Sequence, residues 1–204
     1  MNVQTVEPSA TQNALPANIV SPPANIRRLV LTGFMGAGKT TVGRLLAARL
    51  GWDFLDLDAY IESRTGLAVP SIFASHGEAH FRQFESQALA CALGRENIVL
   101  ALGGGTPEIL TNRLLLEQTP ATATIFLDAP FPTLFDRCMM QALNPGATDR
   151  PNLADPATAE ARFLAREPIY RRLAQHTIDT ANLTTEETVA TLLKRLHMPP
   201  ARRR

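Results

Sequence analysis

Residues 33 to 40 read Gly33-Phe34-Met35-Gly36-Ala37-Gly38-Lys39-Thr40, the full G-x-x-x-x-G-K-[ST] pattern of a phosphate-binding loop. Each part of the pattern has a physical job. The glycines let backbone N–H groups wrap phosphate oxygens, and the helix that follows adds partial positive charge at its start. Lys39 offers a cation to the β- and γ-phosphates, and the Thr40 hydroxyl offers Mg²⁺ an oxygen ligand. The plainer reading is a Gly-rich turn with a surface lysine, but the flanks oppose it. Leu29-Val30-Leu31 upstream fits a buried strand, and Val42, Leu45, Leu46 and Leu50 downstream share one helical face.

Phosphoryl transfer also needs an acidic group near the metal and another to orient the attacking hydroxyl. Asp56 and Asp58 stand two apart after an apolar run, so one can face the metal while the other faces the acceptor. Asp58 could instead cap the helix that follows. Asp128, ending Thr124-Ile125-Phe126-Leu127, is a competing metal-side acid. It precedes Ala129-Pro130, so the sequence favours Asp56 and reads Asp128 as a turn residue.

Arg82 and Glu85 lie at i and i+3 of a helical stretch, on a face away from the stripe Phe81, Phe84, Ala88, Leu89 and Ala92. Such a pair is usually a solvated ion pair. Its functional reading is an acid holding an Arg toward an anionic substrate, since the planar guanidinium can bind both oxygens of a carboxylate. Gly103-Gly104-Gly105 follows the run Ile98–Leu102. It is either a strand-to-helix turn or a floor where a ligand meets the backbone. Segment 142–156 carries Pro145, Gly146, Pro151 and Pro156 around Arg150 and has no periodicity. Beside a nucleotide site, a loop of that length reads as a lid. His76 and His80 have a metal-compatible spacing, yet no third ligand is evident. Cys91 reads as a core residue.

The elements that must position these groups alternate. Strands are expected at 27–32, 53–56, 97–102, 123–128 and 176–180. Helices are expected at 39–50, 58–65, 77–93, 107–118, 130–141, 157–173 and 184–196. This is the pattern of an α/β fold with a parallel sheet and helices on both faces. Ligands of such sheets bind beyond the carboxyl ends of the strands, which is where the loop, the Asp56–Asp58 pair and the three glycines fall.

The chain has 204 residues, 45% of them hydrophobic, with a net charge of +1. One domain with a sizeable core is the default. No nucleic-acid surface or polybasic membrane anchor is indicated. Two cysteines without a C-x-x-C pair fit a reducing compartment, and no apolar stretch reaches the length of a membrane helix. Residues 1–25 are Pro-rich, lack a basic start and an apolar core, and read as a disordered leader rather than a secretory signal. Residues 198–204 read as a flexible tail.

Taken together, residues 27–197 resemble shikimate kinase, a small P-loop kinase of the nucleoside-monophosphate-kinase type. The resemblance rests on G-F-M-G-A-G-K-T at 33–40, D-L-D at 56–58, F-R-x-x-E at 81–85, G-G-G at 103–105, R-P at 150–151 and R-E-P-I-Y at 166–170. It implies a three-layer P-loop NTPase fold with a lid and a five-stranded parallel sheet in the order 2-3-1-4-5. It implies ATP as co-substrate, Mg²⁺, and transfer of the γ-phosphate to the 3-hydroxyl of shikimate in aromatic amino-acid biosynthesis, by a cytoplasmic monomer.

Roles carry over residue by residue. Gly36, Ala37, Gly38, Lys39, Thr40 and Thr41 would hold the ATP phosphates, Thr40 ligating Mg²⁺ directly and Asp56 through water. Asp58 would bind the shikimate hydroxyls and serve as base. Arg82 and Arg166 would hold the carboxylate, with Gly103, Gly104 and Gly105 against the ring. Arg150 would neutralise charge on the transferring phosphate, and Arg137 would flank the adenine. The chain departs from the family pattern in a longer Arg137–Arg150 spacing, in Thr106 where a small residue is usual, and in Ala181-Asn182-Leu183 near the adenine end. A P-loop kinase for gluconate and a nucleotide-binding regulatory module without catalysis are the alternative readings.

Overall fold

The apolar runs become strands because β-branched and aliphatic residues with both faces covered suit a parallel sheet. In the computed structural model, which describes residues 20–143 and 155–197, these are β1 (Arg28–Thr32), β2 (Asp53–Asp56), β3 (Ile98–Ala101), β4 (Thr122–Asp128) and β5 (His176–Asp179). All neighbours pair in parallel, in the order β2-β3-β1-β4-β5. This is the order that the family resemblance implies.

Helices α1 (Lys39–Leu50), α2 (Leu57–Thr65), α3 (Val69–Leu93), α4 (Leu110–Gln118), α5 (Phe131–Ala142), α6 (Pro156–Leu173) and α7 (Thr185–Leu196) cover the two faces. Alternate residues of β1 feed opposite cores. Leu29 and Leu31 pack with Leu46, Ile125 and Leu192, while Val30 packs with Ile61, Leu89, Leu100 and Leu116. Each fully buried aliphatic side chain of this kind is worth about 1.5–3 kcal/mol over its exposed state. The two cores fix the sheet, and the sheet fixes which loops meet at its carboxyl edge.

Three sequence expectations need correction. The helix expected at 77–93 begins at Val69, with Pro70 in its first turn and Ile72 buried, and it breaks at Gly77. Gly77 has φ 80 and ψ 168, a conformation that a residue with a Cβ adopts only at a cost. The helix expected at 107–118 is two pieces. A 3₁₀ turn (Thr106–Glu108) is followed by extended Ile109 and then α4. Cys91 is exposed rather than core. The buried stripe of α3 runs through Phe81, Glu85, Ala88, Leu89, Ala92 and Leu93, and Cys91 lies well round the helix from it. The leader proposed at 1–25 lies mostly outside the described residues, and the tail 198–204 lies wholly outside them. Within residues 20–25, the Val20 N–H donates to the Arg49 carbonyl at 2.9 Å. Among the described residues, no helix is long and apolar enough to cross a membrane.

Candidate active site

The phosphate loop links β1 to α1. Gly36 and Gly38 take φ 77 and 83, so the loop turns through the left-handed region twice. A Cβ at Gly36 would also collide with the Leu134 carbonyl of α5. No side chain caps α1, and its first turn holds no acid. In contrast, α7 closes its start with a Thr184–Glu187 capping box. The first-turn N–H groups of α1 therefore have no side-chain acceptor competing with an anion. The Lys39 ammonium folds over the loop and donates to the carbonyls of Gly33 (2.9 Å) and Phe34 (3.0 Å). This holds the cation in place without neutralising its charge.

The two aspartates turn to different neighbours. Asp56 ends β2 and caps α2, accepting from the Ala59 N–H, so the cap is Asp56 and not Asp58. Its other oxygen accepts from the Thr40 hydroxyl at 2.6 Å. Asp58, in the first turn of α2, faces the glycine floor, where a Cβ on Gly103 would lie 2.7 Å from its Oδ1. Burial first, then the charges of Asp56 and Glu85, push the Asp58 carboxyl up from 3.8 to about 6, against the pull of Lys39. Asp128 turns elsewhere. Its carboxylate takes Arg171 at 2.7 Å and its carbonyl takes the Thr180 N–H and hydroxyl. The sequence favoured Asp56 without saying which strands lie beside β1; β2 reaches the loop although β3 and β4 are the strands beside β1.

Opposite Asp58 stand two guanidinium groups. Arg82 donates to Glu85 at 2.8 Å, and Glu85, only 1% exposed, also accepts from the Thr106 hydroxyl at 2.6 Å. The pair is therefore not a solvated one. Glu85 sits within the apolar stripe of α3, not on a separate face, and survives there because both its oxygens are satisfied. Arg166, on α6, pairs with Glu108 at 2.8 Å, and Glu108 lies 3.7 Å from Arg82. A Cβ on Gly105 would fall 2.5 Å from Arg82 Nη2, so only glycine leaves room for that arginine. The Tyr170 hydroxyl donates to the Gly104 carbonyl and pins the floor from α6. Burial pushes that hydroxyl far above its ordinary value, which keeps it a donor.

One cleft of about 670 Å³ is lined by Gly36, Gly38, Lys39, Thr40, Thr41, Asp56, Asp58, Arg82, Gly103, Gly104, Gly105 and Arg166. Residues drawn from five separate stretches of chain thus converge at the carboxyl edge of the sheet, and the volume suits a small-molecule site. The chain matches the family model described as shikimate kinase over residues 35–197. It is 39% identical over 174 residues to a shikimate kinase of Geobacter metallireducens, covering 84% of this chain and 92% of that one. To one of Nitrobacter winogradskyi it is 40% identical over 200 residues, covering 97% and 89%.

The chain belongs to the shikimate kinase family. The crystal structure of shikimate kinase from Bacteroides thetaiotaomicron superposes with a TM-score of 0.75 at 32% identity, covering 84% of this chain and 99% of that one. Shikimate kinase from Acinetobacter baumannii, solved in complex with shikimate, superposes at 0.74 with 34% identity, covering 84% and 93%. A gluconokinase from Sinorhizobium meliloti reaches 0.53 at 18% identity, which speaks for the shared fold alone.

Not every family-derived assignment falls in the cleft. Ala37 is part of the loop but 2% exposed, packed into the core. Arg137 donates to the carbonyls of Thr180 (2.5 Å) and Ala181 (3.2 Å), clasping the β5–α7 turn. Arg150 lies outside the described residues, as does most of the lid segment 142–156. His76 and His80 stack ring on ring, and no group of three or more metal-type ligands occurs among the described residues. Sequence reading missed Glu108 and the role of Tyr170. The second had a signal, since Tyr170 follows Arg166 by four residues on one helix face. The first had none, because Glu108 meets its partners only through the fold.

Proposed function

We propose that this chain transfers the γ-phosphate of ATP to the 3-hydroxyl of shikimate, giving shikimate 3-phosphate and ADP. The observation that carries the reading is one cleft with a phosphate loop at one end and, at the other, two arginines facing a raised-pKa aspartate across a glycine floor. That second half matches a ring bearing both a carboxylate and hydroxyls. The backbone of 36–41 and Lys39 bind the phosphates. Arg82 and Arg166 take the carboxylate, and the glycine floor underlies the ring. Asp58 accepts the proton as the hydroxyl oxygen forms its bond to phosphorus. The bond to the β–γ bridging oxygen breaks, and ADP leaves with that electron pair. A carboxyl near 6 is mostly ionised at neutral pH yet basic enough to take that proton.

The Thr40 hydroxyl and Asp56 carboxylate, 2.6 Å apart at the mouth of the loop, are hard oxygen donors of the type Mg²⁺ prefers. Bound there with phosphate oxygens and water, Mg²⁺ would neutralise phosphate charge. In this reading residues 26–197 form the kinase unit and the enzyme acts as a cytoplasmic monomer, with Arg150 as a further phosphate-neutralising residue.

A coupled ADP-release assay tests the function directly. Mg·ATP with shikimate should give steady turnover, and gluconate or no acceptor should give little. Equal rates with gluconate and shikimate, or none with shikimate, would sink the assignment.

The arginines give a second, residue-level prediction. Arg166→Ala should weaken shikimate binding by about ten- to a hundredfold, the worth of a charge-assisted pair of about 1.5–3 kcal/mol. Its thermal stability should hold, because Glu108 is 36% exposed and can be hydrated once alone. Arg82→Ala should lose similar affinity and also stability, because Glu85 is then left buried without its cation. Titration calorimetry and melting curves separate the two. An acceptor analogue lacking the carboxylate should bind the wild type and Arg166→Ala alike, and a matching loss with that analogue would make Arg166 structural.

A further inference from the structure

The carboxylate of Glu108 stands beside both arginines of the site. It lies 2.8 Å from Arg166 Nη2 and 3.7 Å from Arg82 Nη2, bridging the two groups that the functional reading gives to the substrate carboxylate. Two convergent guanidinium groups repel in the absence of an anion between them. Arg82 is already held by Glu85 and Glu78. Among the described residues, the one carboxylate paired with Arg166 is that of Glu108.

The backbone and side chain of Glu108 are built differently. The Arg113 guanidinium donates to the carbonyls of Pro107 (2.7 Å) and Glu108 (3.0 Å), and the Glu108 N–H donates to the Gly105 carbonyl. The Asn112 amide holds the Thr106 carbonyl in the same turn. The main chain is therefore fixed beside the floor. The side chain is 36% exposed and is held by its ion pairs with the two arginines. Glu85 is the contrast, buried and locked from two sides. A carboxylate on a fixed backbone with a hydrated exit can leave the arginines cheaply and return to them.

We propose that Glu108 is an intramolecular occupant of the carboxylate subsite, bridging Arg82 and Arg166 in the free enzyme and displaced when a cyclic hydroxy-acid acceptor binds. This rests on the functional reading above, with the acceptor's carboxylate at the two arginines. Binding then exchanges one carboxylate for another, so displacing Glu108 offsets part of what the arginines contribute to affinity. An acceptor without a carboxylate leaves Glu108 in place and gains nothing from the pair. Glu108 thus tempers the affinity for the acid by competing with its carboxylate for the two arginines.

The test uses the full-length protein, with shikimate and its decarboxylated analogue as ligands. Glu108→Gln and Glu108→Ala should bind shikimate about three- to tenfold more tightly than wild type by calorimetry, the effect of removing a partly exposed competing ion pair. KM for shikimate should fall by the same factor with kcat within about twofold, a split that a fault in folding would not produce. Affinity for the decarboxylated analogue should not change. Nucleotide-analogue binding and melting curves verify that each variant is folded, and the alanine variant serves if the glutamine one is not. If the wild type binds shikimate but both variants bind it equally or more weakly, Glu108 is a positioning residue for the arginines and the proposal is overturned. If the wild type binds no shikimate, the functional reading itself falls and takes this proposal with it.

Discussion

Lys39→Ala should reduce turnover by about 10²- to 10³-fold or more while leaving the fold and shikimate affinity nearly intact. Removing one preorganised charge or donor from a phosphoryl or acyl transfer site costs that much, because nothing reorganises to replace it in the transition state. The ammonium is preorganised here by the Gly33 and Phe34 carbonyls. Losing those two bonds at a half-buried site costs about 1 kcal/mol each at most, so melting should shift by only a few degrees. There is a second readout. Lys39 is the cation that holds the Asp58 carboxyl down, so its removal should move the Asp58 titration above about 6. Residual activity of Lys39→Ala should therefore rise to its plateau at higher pH than wild-type activity does. Activity close to wild type would show that the loop is not the catalytic phosphate site.

Asp58→Asn should lower kcat by about 10²-fold or more if the carboxylate is the base, with ATP affinity little changed. The pH profile sharpens this. Wild-type kcat/KM should fall below about pH 6, where Asp58 takes up its proton, and the variant should lose that acid limb.

The same shift predicts a stability effect of opposite sign. The folded protein holds the Asp58 proton more tightly than the unfolded chain, whose value is 3.8. Stability from this group is then full below 3.8 and is lost as pH rises through about 6. Asp58→Asn, which cannot ionise, should melt above wild type at pH 7.5 and level with it near pH 3.5. A variant that instead loses ATP binding would place Asp58 on the nucleotide side. One that melts below wild type at every pH would mean the carboxylate is structural.

The buried charge at Glu85 shows how a period can carry a functional signal and still be misread. Positions 81, 85, 88, 89 and 92 are the buried stripe of α3, and Glu85 falls in it as squarely as the apolar residues do. Reading Arg82–Glu85 as a surface pair followed from their residue types. Their spacing alone marks an acid at a core position, which demands partners. One partner, Arg82, was local and legible. The other, Thr106, comes from 21 residues away and was visible only as an unexpected residue after the glycines. A Cβ on Gly103 would approach Asp58, Glu85 and Thr106 at 2.7 to 3.1 Å, so this corner has no spare volume.

What the chain determined by itself is local. The phosphate loop, its flanking strand and helix, the alternation of elements and the pairing of Arg82 with Glu85 all depend on residues within a few positions of one another. Backbone propensity, periodicity and capping act over that distance. The tertiary structure decided the rest. It placed Asp56 within 2.6 Å of Thr40 and Asp128 within 2.7 Å of Arg171, away from the loop. It raised the Asp58 carboxyl by burying it beside two other acids. It carried Glu108 across to Arg166, 58 residues further along the chain. Charges reach one another through space with an energy set by distance and burial, and neither quantity exists until the sheet has assembled.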